Sequence, residues 1–314
     1  MLCFTARSYC SFVVIPFSIT RNLLLNLRES SKLQLLFQMF TLNCKGKLLS
    51  LEKPLVMGIL NITPDSFFEG HISKGPEKIW ELAEKMIEEG ADILDIGGQS
   101  TRPGSQRISE KEEWERVLPV INKIRQHNQE IVLSIDTFYS SVADNAVKAG
   151  VSIVNDISSG EMDSDMIKTV ASLQVPFICM HMKGTPDTMQ QQANYEDVVK
   201  EVLDYFIAKI DSCKAAGISE LIIDPGFGFA KTAKHNFQLL KSLSVFKMLD
   251  KPVLAGLSRK STIYKTLNIS AAEALNGTTV LNTLALNNGA SILRVHDVKE
   301  AKEAVNLVEA YTRC

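Results

Sequence analysis

Asn61, Asp95, Asp136, Asn155, Asp156, His181, Asp224, Arg294 and His296 each stand in or at the end of a short apolar run, and Ser258, Arg259 and Lys260 follow another. Asp and Asn in such places often start turns or cap helices, so any one of them alone is as readily structural as chemical. As a set they divide into two chemistries. Asp136, Asn155 and Asp224 offer carboxylate and amide groups suited to a flat heterocycle with several N–H donors. A carboxylate takes two parallel N–H bonds from an amino-pyrimidine edge, which supplies both energy and orientation. Asn61, Ser100, Thr101, Arg102, Arg294 and His296 offer oxygens, hydroxyls and cations suited to a phosphate and a divalent metal. One half reads as a heterocycle clamp, the other as an anion clamp.

The stretch IIDPGFGFAK, residues 222–231, hints at a phosphate cradle, since glycine lets backbone N–H groups approach an anion closely. Its spacing is neither that of a P-loop nor that of a dinucleotide fingerprint. The stretch therefore leaves open what Asp224 and its two glycines hold.

Elements that must position these residues recur from residue 55 onward. Apolar runs occur at 55–60, 93–97, 131–136, 152–156, 176–182, 221–225, 252–258 and 292–297. Continuous rather than alternating apolar runs suit parallel strands covered on both faces. Amphipathic stretches lie between them at 77–90, 110–127, 140–150, 164–174, 196–217, 234–249, 271–289 and 298–314. In the first of these, Ile79, Leu82, Ala83, Met86 and Ile87 share one face, and Gly90 marks the stop. Eight strand–helix units over about 260 residues match the size of an α/β fold of the (β/α)8 TIM barrel type, whose site lies at the C-terminal ends of the strands. An open doubly wound sheet is the alternative.

A formal charge of −2 gives no electrostatic argument for nucleic acid or an anionic membrane. No window reaches the roughly 18 uninterrupted apolar residues of a membrane span. The six cysteines show neither a C-x-x-C pair nor zinc-like spacing, which points to free thiols in a reducing compartment and hence to the cytoplasm. Residues 1–38 fall outside the barrel rhythm and form an N-terminal extension; the barrel is expected over 39–314. Their single acid, Glu29, and their Arg/Ser content resemble a targeting segment. Met39 is also a workable start, so upstream sequence and a genuine appendage remain open readings.

The residues sit in motifs that resemble those of the dihydropteroate synthase family, in its order. They are MGILNITPDSF (57–67), DIGGQSTRPG (95–104), SIDT (134–137), VNDIS (154–158), MHMKGTP (180–186), DPGFGFAK (224–231), GLSRKS (256–261) and RVHD (294–297). The resemblance runs from about residue 41 to the C-terminus and implies a TIM barrel. Its implied reaction joins 6-hydroxymethyl-7,8-dihydropterin pyrophosphate to p-aminobenzoate, releasing pyrophosphate and 7,8-dihydropteroate. It also implies Mg2+ and a homodimer. By the resemblance, Asp136, Asn155 and Asp224 contact the pterin, Met180 and Gly256 line its pocket, and Lys260 bonds its oxygen and ring nitrogen. Asn61 ligates Mg2+, and Arg294 with His296 takes the pyrophosphate. Phe67, Thr101, Arg102 and Pro103 belong to loops that close over p-aminobenzoate, Phe229 forms an apolar wall, and Ser261 reaches the carboxylate end. The chemistry rests on Asp136, Lys260, Arg294 and His296, with Gly226 and Gly228 serving chain geometry. Gln99 and Glu69 depart from the commoner glutamate and aspartate of the family's loops.

Three rivals stand beside this reading: a pterin-binding methyltransferase barrel, an aldolase-like barrel using Lys260 as a Schiff-base amine, and a non-catalytic paralogue that only binds. The methyltransferase has no need of STRPGS, SRKS and RVHD together. His181 reads as a core histidine.

Overall fold

The computed structural model describes residues 40–62, 75–100 and 107–314. Phe67, Glu69, Thr101, Arg102, Pro103 and the extension 1–38 lie outside these. An antiparallel hairpin comes first, β1 (Thr41–Cys44) and β2 (Lys47–Ser50). Lys45 and Gly46, both with positive φ, form its two-residue turn, the geometry that matches the twist of the flanking strands. Eight parallel strands follow: β3 (Leu55–Asn61), β4 (Ile93–Gly97), β5 (Val132–Asp136), β6 (Ile153–Asp156), β7 (Phe177–Met180), β8 (Leu221–Asp224), β9 (Leu254–Ala255) and β10 (Ile292–Val295). Each pairs with the next from β3 to β8, and β10 lies between β9 and β3. Parallel pairing of Ile223 with Val253 closes the ring, and the Ile223 N–H donates to the Pro252 carbonyl at 3.0 Å. The expected (β/α)8 barrel is the fold observed.

Helices α1 (Gly75–Glu88), α2 (Glu110–His127), α3 (Ser140–Lys148), α4 (Met166–Leu173), α5 (Val198–Ala215), α6 (Ala233–Lys241), α7 (Ser261–Leu267), α8 (Leu275–Asn287) and α9 (Val298–Thr312) follow in chain order. The helix expected over 234–249 breaks at Ser242 into α6 and a 3-10 turn, Leu243–Leu249. The short α7, directly after Lys260, was not expected from the pattern.

Strand alternation explains why the runs look uniformly apolar and still build a polar site. Leu94, Leu133, Val154, Cys179, Ile223 and Leu293 point outward into the helical layer. Their neighbours Ile93, Val132, Ile153, Ile178, Ile222, Leu254 and Ile292 point into the barrel and meet Leu42 and Cys44 from the hairpin and Leu51 just after it. The hairpin thus plugs the N-terminal end of the barrel. Two residues further along, the inward positions are Asp95, Ser134, Asn155, Met180, Asp224, Gly256 and Arg294. A dry layer supports a polar one.

Candidate active site

The polar layer is joined by one guanidinium. Arg294 donates from Nε to Asp95 Oδ2 and from Nη2 to Asp136 Oδ2, each at 2.6 Å. Asn155 Nδ2 donates to the same Asp95 oxygen at 3.0 Å. Burial pushes the Asp136 carboxyl up to about 7, while Arg294 pulls it down. Burial works against the charge on Arg294 too, but Asp95 and Asp136 outweigh it and raise its pKa. Asp95 is fully buried, and its Oδ1 has no hydrogen-bond partner among the described residues. Asp95 is one of the strand-end polar residues, and its type and position in the sequence point to no role of its own.

Asp224 faces this group from β8. Its Oδ1 accepts from the Gly226 N–H at 2.8 Å, and burial raises its pKa against the pull of Lys260. Gly226 has φ 71°, and a Cβ there would come within 2.0 Å of the His181 carbonyl, so only glycine lets the loop return to Asp224. Gly228, with φ 83°, is likewise in the left-handed region, so both glycines serve backbone geometry. Lys260 Nζ donates to the Phe227 carbonyl and lies 4.7 Å from the centre of the Phe229 ring. Burial lowers Lys260 to about 8, with Asp224 opposing. At Gly256 a side chain would stand 3.7 Å from Lys260 Nζ and 4.0 Å from Asp224 Oδ2, so glycine keeps the space between them clear. Met180 is buried beside Phe229 in a separate small cluster with Phe138 and Ile157.

His296 and Ser261 lie at the rim. The Ser258 hydroxyl is 3.0 Å from His296 Nδ1 and accepts the His296 N–H at 3.2 Å. Arg259 makes a bidentate pair with Asp297, at 2.9 and 2.8 Å, which pins the end of β9 to the end of β10. Arg259 and Ser258 thus hold Lys260 and His296 in place. Asp156 points away from the site and takes bonds from the Ser158 and Gly160 N–H groups, a turn-forming role. His181 is buried, as a core histidine should be.

Two further groups sit behind the site. Thr137 Oγ1 donates to Glu113 Oε2 at 2.9 Å, and burial pushes Glu113 up to about 8. Gln99 donates to the Ser100 carbonyl and accepts from the Ile108 N–H, both at 2.9 Å. A glutamate there, ionised, could accept but not donate, so the departure adds a bond.

For Mg2+ the described residues supply hard oxygen: Asn61 Oδ1 lies beside Gly97, 3.5 Å from the position of a Cβ there. No cluster of three His, Cys, Asp or Glu among the described residues makes a metal cage. One amide oxygen suits an ion that keeps several waters and binds mainly through substrate phosphates, so the residues fit Mg2+.

Residues 57–296 match the family model described as pterin binding enzyme. The dihydropteroate synthase of Escherichia coli K12 is 44% identical over 268 residues, 85% of this chain and 94% of that protein. The structure resembles Xanthomonas albilineans dihydropteroate synthase with 4-aminobenzoic acid, with TM-score 0.81 and 40% identity, covering 86% and 97% of the two chains. It also resembles the same organism's enzyme in complex with 7,8-dihydropteroate, with TM-score 0.78 and 37% identity, covering 87% and 98%.

Proposed function

The chain belongs to the pterin-binding enzymes and, within them, to the dihydropteroate synthase family, and from that membership we infer how its own residues divide the work. It is a transferase that condenses 6-hydroxymethyl-7,8-dihydropterin pyrophosphate with p-aminobenzoate to give 7,8-dihydropteroate and pyrophosphate. The observation that carries the division is the polar layer in which Arg294 spans Asp95 and Asp136 while Asp224 and Lys260 face it.

Asp136, Asn155 and Asp224 receive the N–H edge of the pterin, and Lys260 donates to its oxygen and ring nitrogen. Met180 and Gly256 shape the pocket, Phe229 walls it, and Ser261 reaches toward the p-aminobenzoate carboxylate. The carbon–oxygen bond at the exocyclic methylene breaks, and its electron pair leaves with pyrophosphate. Buried carboxylates beside the dihydropterin ring favour the cation left behind. The amine nitrogen of p-aminobenzoate then forms the new bond and sheds a proton to water or to the departing pyrophosphate. No side-chain nucleophile is required. Lys260 enters as a hydrogen-bond donor, a role supported by its bond to the Phe227 carbonyl.

Arg294 and His296 receive the pyrophosphate. By sequence they stand apart from the heterocycle clamp, but Arg294 also touches Asp136, so the two clamps share a member. Asn61 would hold Mg2+ together with the pyrophosphate oxygens, where the ion would neutralise charge on the leaving group. The expected loop residues Phe67, Thr101, Arg102 and Pro103 retain their proposed place over p-aminobenzoate.

The reading extends to a cytoplasmic homodimer. Support comes from the buried free thiols of Cys44, Cys179 and Cys213, and from exposed apolar residues on paired helices, Val280 and Leu284 on α8 and Leu307 and Tyr311 on α9. No helix among the described residues is long and apolar enough to cross a membrane.

The deciding assay measures pyrophosphate release from the pterin substrate with and without p-aminobenzoate. Release that requires p-aminobenzoate, with dihydropteroate formed in equal amount, is the expected result. A folded protein that releases none would remove the synthase reading in favour of a binding paralogue.

A further inference from the structure

Lys231 closes the IIDPGFGFAK stretch and has no part in either clamp, yet it is buried while Lys260 and Arg294 are only partly so. Burial lowers Lys231 to about 7 while Asp224 raises it; its ammonium form has three hydrogens, and three acceptors surround it. They are His181 Nδ1 at 3.0 Å, the His181 carbonyl at 3.2 Å and the Phe229 carbonyl at 3.0 Å. Burial, with the charge of Lys231 next, pushes His181 down to about 2, so its ring is neutral and Nδ1 is free to accept. The three bonds tie two segments together, because His181 directly follows β7 and Phe229 lies in the loop after β8.

The loop needs such a tie. Ala230, fully buried between Phe229 and Lys231, has φ 50°, a left-handed conformation that disfavours a residue with a Cβ. Gly226 leaves no room for a side chain against the His181 carbonyl, and its Cβ position is 3.3 Å from Lys231 Nζ. Asp224 is held mainly by the nearby charge of Lys260 and by the Gly226 N–H, with the charges of Arg294 and then Lys231 acting on it more weakly. The Phe229 peptide, by contrast, is held by its N–H to the Gly226 carbonyl and by its carbonyl to Lys231.

We propose that Lys231 is a positioning residue for the p-aminobenzoate half of the reaction, fixing the Phe229 carbonyl against the end of β7 so that the Phe229 ring stays as the wall of that subsite. The assignment rests on the synthase reading above. Loss of the ammonium frees the strained turn, and the Phe229 ring then samples positions that no longer pack on the aromatic substrate. The pterin end, anchored through Asp224, is left in place.

Initial rates with varied p-aminobenzoate at saturating pterin pyrophosphate test this, alongside calorimetry with 6-hydroxymethylpterin lacking phosphate. Lys231→Met raises KM for p-aminobenzoate about tenfold or more, the scale of losing a charge-assisted hydrogen bond, while the affinity for the free pterin stays within about twofold. Lys231→Gln keeps a donor for one carbonyl and falls between Lys231→Met and the unaltered enzyme. An unchanged KM in folded Lys231→Met overturns the proposal, and so does a loss of free-pterin affinity as large as the rise in KM. If Lys231→Met does not fold, Lys231→Gln is judged by the same two criteria. Unaltered protein that releases no pyrophosphate would instead overturn the synthase reading, which keeps the two failures distinct.

Discussion

Arg294 Nε lies 2.6 Å from Asp95 Oδ2, although β10 and β4 are not neighbours in the sheet and β3 runs between them. The contact spans the barrel interior. It is possible because residues one layer above Ile93 and Ile292 point inward together, over a floor that excludes water.

Asp95→Asn keeps the shape and an acceptor oxygen but removes one of the two charges that meet the guanidinium at 2.6 Å. Asp136 still faces Arg294, so the expected loss is that of one charge-assisted bond, about 1.5–3 kcal/mol of unfolding free energy. Urea titration of the two proteins measures it. A change within error would mean that Asp136 alone satisfies Arg294.

Arg294→Ala leaves Asp136 buried without its cation. Burial already holds that carboxyl at about 7 with Arg294 present, so removing Arg294 moves it higher and leaves it mostly protonated at neutral pH. Pyrophosphate release then slows, and free-pterin affinity at pH 7 falls as an acceptor is lost. Affinity should recover at a more alkaline pH, where the carboxyl ionises again. Asp224→Asn weakens free-pterin binding by about 1.5–3 kcal/mol with no such recovery, since an amide does not titrate in this range. Calorimetry at both pH values separates the two variants, and identical pH behaviour would count against the role of Arg294 as the counter-ion of Asp136.

Glu113 gives a stability prediction of opposite sign to that of most carboxylates. Its folded pKa, about 8, lies above the unfolded value near 4.5 because of burial. Between those values the folded state binds more proton than the unfolded state, so stability falls as pH rises from about 4.5 to 8. Glu113→Gln removes that slope. Thermal melts should coincide near pH 4.5 and diverge in favour of the variant toward pH 8, by at most about 4 kcal/mol. Parallel pH profiles would show that Glu113 titrates normally.

The barrel floor gives a truncation test. A chain beginning at Met39 retains the hairpin and is expected to fold and turn over, because residues 1–38 lie outside the barrel rhythm. Leu42→Ala, inside the plug, should cost about 2–5 kcal/mol as a buried large-to-small change. Denaturant midpoints and specific activity check both. Loss of activity on starting at Met39 would show that the extension does necessary work.

Local chemistry made the strands and most of the helices readable in the chain, and with them the strand-end positions of Asp95, Asp136, Asn155, Asp224 and Arg294. A continuous apolar run such as 93–97 is what a strand covered on both faces requires, and a motif such as DPGFGF carries its turn geometry in its glycines. The plugging hairpin, the short α7 and the break at Ser242 were not readable, because each depends on what it packs against. Contact was even less accessible. That Asp95 and Asp136 both meet Arg294, or that Lys231 reaches His181 fifty residues away, depends on how the strands assemble. Barrel closure turns alternate residues of distant strands toward one axis, and only there do charges separated by 199 positions in the chain come within hydrogen-bond distance.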